Sequence, residues 1–123
     1  MKDYNQMLYD ILKPLVMDDD NPVSLYRNTI TTDYNSQPED YVVYSTGISD
    51  TPRIFGDGKV LARRCSCDIT VNEMGNGNNE TAGYLIQRVE ALLIAAGIVY
   101  TKINLGYIES MDSMQTTFDF YLI

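Results

Sequence analysis

The sequence contains no histidine and no tryptophan. Without histidine the chain lacks the commonest general base, the Ser-His and Cys-His nucleophile pairs and most zinc ligand sets. Carboxylates could still perform acid–base chemistry, but the absence lowers the expectation of an enzyme. The sequence predicts no catalytic residue, no metal site and no cofactor.

Cysteine and long apolar runs are also scarce. The 2 cysteines, Cys65 and Cys67, lie too close together in sequence to form a disulfide framework. No apolar run is long enough to cross a bilayer. The first segment, Met1–Asp10, carries charges where a signal peptide would have its apolar core. We therefore expect a soluble protein that begins in a cytoplasm and makes no membrane contact.

Basic residues are fewer than acidic residues. The chain has 9 Lys and Arg against 17 Asp and Glu, which gives a formal net charge of −8. Proteins that bind a nucleic-acid backbone carry a basic footprint, so this balance argues against such binding. The length of 123 residues is typical of a single domain spanning 1–123, and it suffices to bury a core.

Hydrophobic periodicity predicts two helices. Apolar residues recur at helical spacing from Asp3 to about Lys13, where Pro14 should kink or end the helix. The second helix is predicted over Thr81–Ala96, and Gly97 follows it at a position that favours a left-handed conformation.

Strands are predicted from β-branched and aromatic residues and from alternation. The predicted strands are Val23–Ile30, Tyr41–Thr46, Val60–Glu73, Ile98–Glu109 and Gln115–Ile123. Pro and Gly punctuate the segment Ile48–Lys59, which we predict to be mostly connection. The order α-β-β-β-α-β-β predicts an α+β fold, with two helices packed on a mainly antiparallel sheet of about four to five strands.

The stretch FGDGKVLARRCSC, from Phe55 to Cys67, contains the residue types most typical of a phosphate-binding loop or a metal site. A phosphate-binding loop needs Ser or Thr after its lysine and a helix after the loop. Here Val60 follows Lys59, and a strand follows the loop. The Gly-Asp-Gly-Lys segment is therefore predicted to be a turn whose glycines supply positive φ angles.

The Cys65-Ser66-Cys67 segment lies on the same predicted strand. Alternation places both sulfurs on the face of Ile69 and Val71, where small thiols behave as apolar residues. A tetrahedral metal would need further soft or imidazole ligands. A redox pair would lack the helix N-terminus that lowers a thiol pKa. We predict buried structural cysteines.

Acidic residues in two connections could bind a cation or act as paired carboxylates. Asp18–Asp20 lacks the alternating spacing and distal Glu of an EF-hand loop, which favours a solvated connection. Nothing places Asp50 and Asp57 at a distance suited to paired-carboxylate catalysis.

The chain has 10 tyrosines, several of them in predicted strands with the side chain pointing outward, as for Tyr121. Tyrosine is enriched in protein interfaces, but it is also common in strands for reasons of packing alone. The sequence leaves both interpretations open.

The succession of segments resembles the tail-completion proteins of long-tailed bacteriophages, which include tail terminators and head–tail joining proteins. The resemblance covers Val23 to the C-terminus and rests on a combination of features. These are the strand Tyr41–Thr46, the Asp-Gly loop Phe55–Gly58, the long strand ending in Ile69–Glu73, the helix ending in Ala95–Ile98, and a last strand with Phe118 and Phe120.

The resemblance implies a structural protein without catalytic activity. Terminators of this type form a ring, usually six-fold, on the end of the tail tube and present a surface to the head. The implied partners are further copies of the chain, the tail tube protein and a head-completion or connector protein. DNA would pass through the lumen without being specifically bound. The implied location is the virion tail or neck, and the host cytoplasm before assembly.

A closed ring joins two different faces of each subunit. The strand edges and the loops Asn35–Asp40 and Ile48–Lys59 are the candidates, because loops on a rigid scaffold often carry contacts. The candidate interface residues are Gln37, Glu39, Asp40, Asp50, Arg53, Phe55, Asp57, Lys59, Arg64 and Tyr121.

Two other functions remain compatible with the sequence. One is a small monomeric adaptor or inhibitor that binds a host protein. The other is a carboxylate-dependent enzyme or cation-binding domain that uses Asp18–Asp20 or Asp57.

Overall fold

The computed structural model describes residues 3–18, 23–27, 40–47, 51–56, 59–75, 83–109 and 112–122, with the backbone alone for 51–56 and 59–64. The elements are α1 (Tyr4–Val16), β1 (Ser24–Arg27), β2 (Tyr41–Thr46), β3 (Thr51–Gly56), β4 (Lys59–Met74), α2 (Tyr84–Ala95), β5 (Tyr100–Ile108) and β6 (Ser113–Leu122). This succession confirms the predicted α+β class and the positions of both helices.

Five strands lie side by side in the order β1-β2-β4-β6-β5. The β1–β2 pair is parallel, and the other pairs along this path are antiparallel. The sheet is therefore mainly antiparallel, as predicted. β4 is its longest strand, with 16 residues, and it lies between β2 and β6.

A sixth strand corrects the sequence prediction. The connection predicted over Ile48–Lys59 contains β3, which pairs antiparallel with the first part of β4. Pro52 is tolerated because proline can occupy an edge strand, and register shifts on both sides of Ile54 mark bulges. Backbone pairing with β4 thus prevails over the local turn signals.

The hydrophobic core lies between one face of the sheet and the two helices. Alternation on β4 and β6 brings buried residues to this face, where Ile69 pairs in register with Phe118, and Cys67 with Phe120. The helices contribute their apolar stripes, Leu8, Leu12 and Leu15 from α1 and Leu85, Val89 and Leu93 from α2. One cluster thus joins both helices to the sheet.

Helix α1 begins where the Asp3 side chain accepts a hydrogen bond from the Gln6 backbone N–H at 3.0 Å, a standard N-cap. The helix continues through Pro14 to Val16, so of the two predicted outcomes at Pro14, a kink or an end, the end does not occur. Packing explains this, because Leu15 is buried in the core and holds the last turn in place.

Helix α2 ends at Ala95, and Gly97 follows it in the predicted left-handed conformation, with a φ of 74°. The Gly97 N–H donates to the Ile94 carbonyl and the Ile98 N–H donates to the Leu93 carbonyl, each at 3.0 Å. This is a Schellman motif, which satisfies carbonyl groups at the end of the helix.

Candidate assembly surfaces

β2 and β3 lie in succession along the same edge of β4. β2 pairs from Tyr41↔Asn72 to Thr46↔Cys67, and β3 continues from Thr51↔Arg64 to Gly56↔Lys59. Together they form one long antiparallel hairpin that runs the length of β4.

The part of this hairpin that contains β3 extends beyond β6 and the other strands of the sheet. β6 pairs with β4 only from Cys65 to Met74, so among the described strands Lys59–Arg64 pairs with β3 alone. We call Thr51–Gly56 together with Lys59–Arg64 the projecting hairpin. At about 3.3 Å per residue its strands extend about 20 Å past the sheet.

The projecting hairpin contains Arg53, Phe55, Lys59 and Arg64, four of the predicted interface residues. Pairing of β3 with β4 brings them onto one extended element, although they are spread over the sequence. Gln37, Glu39, Asp50 and Asp57 lie outside the described residues.

The remaining two candidates lie elsewhere. The Asp40 carboxylate accepts a hydrogen bond from the Met74 backbone N–H at 2.8 Å, at the end of β4 opposite the projecting hairpin. Tyr121 is 50% exposed between two buried residues of β6, on the sheet face that turns away from the helices. The outward direction predicted for Tyr121 is confirmed, but the structure does not bring it together with Asp40.

β5 carries exposed apolar residues that are not among the predicted interface residues. Val99 is 91% exposed just before the strand, and Ile103, Leu105 and Tyr107 are 41%, 53% and 43% exposed. Within the described part of the chain β5 pairs only with β6, so its outer edge has no strand partner there. We call these four residues and this edge the β5 edge.

Alternation in the sequence predicted the strand but not which side chains it would expose. Tyr100 and Lys102 lie on the helix side, where both donate to the Glu90 carboxylate at 2.7 Å, and Tyr100 packs edge-on against Phe118. Ile103 therefore turns away from the helices, since successive residues alternate in direction. Only the register of β5 against β6, set by tertiary packing, reveals this exposure.

The outer face of the sheet carries paired acids. Asp68 lies directly opposite Asp119 in the β4–β6 register, and the Ser45 hydroxyl donates to Asp68 at 2.8 Å. Like charges that face each other across strands are destabilising. The pair therefore concentrates negative charge on a face that the helices do not cover.

The two cysteines are free and buried, as predicted. Burial, with Cys65 as its neighbour, raises the pKa of Cys67 to about 12. The Cys67 thiol therefore stays protonated at neutral pH, and only thiolates react readily.

The Asp18–Asp20 cation site predicted as an alternative is not supported at Asp18. The Asp18 carboxylate pairs with the Arg88 guanidinium at 3.0 Å, which links the end of α1 to α2. Asp19 and Asp20 lie outside the described residues, and in the described ranges no group of three His, Cys, Asp or Glu could hold a metal ion.

The helices α1 and α2 are too short or too polar to span a bilayer, and no other helix in the described residues could do so. Comparison of the chain with protein-family models, curated proteins and solved structures gives no significant match.

Proposed function

We propose that the chain is a structural assembly protein of a long-tailed bacteriophage, which forms a ring at the end of the tail tube and completes or joins the tail for head attachment. Its proposed location is the virion tail or neck. The observation that carries the proposal is the β5 edge, an unpaired strand edge with exposed apolar side chains. Such edges favour pairing with another chain.

A ring subunit must present two different surfaces, because a ring is built from head-to-tail contacts that close. β5 and β1 lie at opposite ends of the strand order, and they differ in length and exposure. The β5 edge of one copy would contact the opposite side of the next copy. Successive copies could then close around a lumen.

The projecting hairpin is proposed to contact the axial partners, the tail tube protein or a head-completion protein. A two-stranded ribbon without a third strand is marginally stable alone, so contact with a partner would stabilise it. Its candidate contact residues are Arg53, Phe55, Lys59 and Arg64. The net charge of −8 suits a lumen through which DNA moves without adhering.

A matched pair of substitutions tests the role of the β5 edge. Leu105→Lys places a charge on this edge, and Ile94→Lys places one on α2, where Ile94 is 65% exposed. Both sites are open to solvent, so both variants should fold. Negative-stain electron microscopy of concentrated protein should show rings for the wild type and for Ile94→Lys, but none for Leu105→Lys.

Rings formed equally well by Leu105→Lys would contradict the use of the β5 edge. Loss of rings in both variants would show that added charge alone prevents assembly. A wild-type protein that instead remains monomeric and binds a host protein would favour the adaptor function.

A further inference from the structure

An open groove of about 330 Å³ lies beside the first turns of α1, at the β1 end of the strand order. Its lining is polar and comes from one helix and two strands. The lining residues are Asp3, Asn5, Gln6, Tyr9, Arg27 and Tyr44.

The floor of the groove is formed by Arg27 and Tyr44. They are register partners in the parallel β1–β2 pair, so their side chains stand on the same face of the sheet. Tyr44 is only 7% exposed and belongs to the core cluster, so this face is the one that the helices cover. Arg27, at the end of β1, is exposed and accessible to a ligand.

Both floor residues have unused hydrogen-bond donors. The described residues include no ion-pair partner for the Arg27 guanidinium and no hydrogen-bond partner for the Tyr44 hydroxyl. Glu73 Oε1 is the only buried side-chain oxygen or nitrogen without a partner among the described residues, so the Tyr44 hydroxyl opens into the groove, where it can donate to a ligand. Burial raises the pKa of Tyr44 although the charge of Arg27 lowers it, so the hydroxyl keeps its proton.

The walls of the groove are held by local hydrogen bonds. The Thr46 hydroxyl donates to Asn5 Oδ1 at 2.9 Å, which ties α1 to β2. Asp3 accepts from the Gln6 backbone N–H, and Gln6 Nε2 donates to Asp10 at 2.8 Å. These contacts fix the first turns of α1 relative to the floor, so the groove is formed before a ligand arrives.

The charges in the groove select one class of ligand. A single guanidinium with its forked donors matches a carboxylate in a two-pronged geometry. Asp3 also lines the groove, and its negative charge repels a dianion such as phosphate more strongly than a single carboxylate. The same Asp3 carboxylate can accept a hydrogen bond from an N–H or O–H group of the ligand.

We propose that this groove binds a carboxylate, held by the Arg27 guanidinium and the Tyr44 hydroxyl, in a ligand that also offers a hydrogen-bond donor to Asp3. The ligand is either a small organic acid or an acidic side chain of a polypeptide. None of the groove residues belongs to the β5 edge or to the projecting hairpin. Arg27 lies on β1, however, so the groove borders the side of the subunit that the β5 edge of the next copy is proposed to contact.

The test is a titration of the ¹⁵N-labelled full chain followed by NMR, with N-acetylglycine and N-acetylglycinamide as probes. Both probes carry an amide N–H, but only the first carries a carboxylate. N-acetylglycine should shift the amide signals of Asn5, Gln6, Arg27 and Tyr44, and the amide probe should not. Equal shifts with both probes, or no shift with either, would overturn the proposal.

Three variants test the residue assignment, with thermal unfolding as a check on the fold. Arg27→Gln should weaken binding of N-acetylglycine by about tenfold or more, because a charged hydrogen-bonding pair is lost. Tyr44→Phe removes only the hydroxyl and should weaken it by a smaller factor. Lys13→Gln removes the same charge from an exposed position on α1 and should leave binding unchanged. Unchanged affinity in Arg27→Gln would overturn the role of the guanidinium.

A blocked pentapeptide with one central aspartate distinguishes the two sources of the carboxylate. Binding of the peptide much tighter than N-acetylglycine assigns the groove to an acidic side chain of a polypeptide. Comparable binding of the two probes assigns it to a small acid.

Discussion

At the residue scale, Glu73 supplies the helix cap that Gly83 lacks. Gly83 precedes α2 with a φ of 88° and no side chain, and the Glu73 carboxylate from β4 accepts its backbone N–H at 2.9 Å. The other carboxylate oxygen, Oε1, is buried and finds no hydrogen-bond partner among the described residues. The cap therefore carries a desolvation cost.

The cost of desolvating the carboxylate is reflected in the pKa of Glu73. Burial, and to a smaller degree the nearby Asp40 charge, raise the pKa of Glu73 above 4.5, although the Gly83 N–H lowers it. A raised pKa in the folded state means that the folded protein holds this proton more tightly than the unfolded chain. The contribution of Glu73 to stability is therefore present below pH 4.5 and is lost as the pH rises through its raised pKa.

Two substitutions separate the cap from the charge. Glu73→Gln keeps an oxygen for the Gly83 N–H but cannot ionise, so the stability of the wild type relative to this variant should fall as the pH rises from 4.5. Glu73→Ala also removes the cap, so it should be about 1 kcal/mol less stable than Glu73→Gln at every pH. Urea unfolding at several pH values measures both effects. A pH-independent difference between wild type and Glu73→Gln would contradict the raised pKa.

A second prediction at this scale concerns the acids that face each other on the outer sheet surface. Asp119→Asn removes one charge opposite Asp68 and should raise the free energy of unfolding by about 0.2–1 kcal/mol. Asp119 is exposed, so salt should screen the repulsion and reduce the gain. Urea unfolding of wild type and variant in low and high salt measures this gain in the free energy of unfolding. Destabilisation by Asp119→Asn, or a gain independent of salt, would show that the pair is not repulsive.

Single residues were the part least predictable from the sequence. The alternation of β4 correctly predicted that Cys65 and Cys67 are buried, because burial follows directly from the period of a strand. The capping role of Glu73 depends on a contact across 10 positions of the chain, and no local pattern signals it. The same holds for the Arg27–Tyr44 pair, which only the parallel register brings together.

At the scale of elements, β4 should be unevenly stable along its length. Residues Cys65–Met74 pair with β6, and most of them also with β2, whereas Lys59–Arg64 pairs with β3 alone. Amide hydrogen exchange should therefore be faster over Lys59–Arg64 than over Cys67–Asn72, since local opening disrupts fewer contacts there. Uniform protection along β4 in the isolated protein would contradict a projecting hairpin.

The elements with strong periodicity were predictable, and those decided by pairing were not. The strand Tyr41–Thr46 was predicted with its observed bounds. Helix α2 was also predicted, together with the left-handed Gly97 that follows it. β3 was missed because Pro52, Gly56 and Gly58 are turn signals whose effect depends on whether a neighbouring strand is present. Its strand character arises from β4, which the local sequence does not contain.

At the scale of the whole molecule, charge and exposed apolar surface act together. A net charge of −8 keeps copies apart at long range, whereas the β5 edge favours contact at short range. Assembly should therefore require a high protein concentration or added salt. Salt acts by screening the repulsion between the negatively charged copies. A local increase of concentration on a tail tube would act in the same direction.

Copies of this chain are proposed to assemble into a closed ring. The most direct test is the native mass by light scattering behind a sizing column, over a wide range of protein concentration and at moderate salt. We expect the monomer to give way to one discrete species of about six subunits, because a ring closes at a fixed number of copies. A monomer at every concentration and salt, or an open series of growing oligomers, would contradict it.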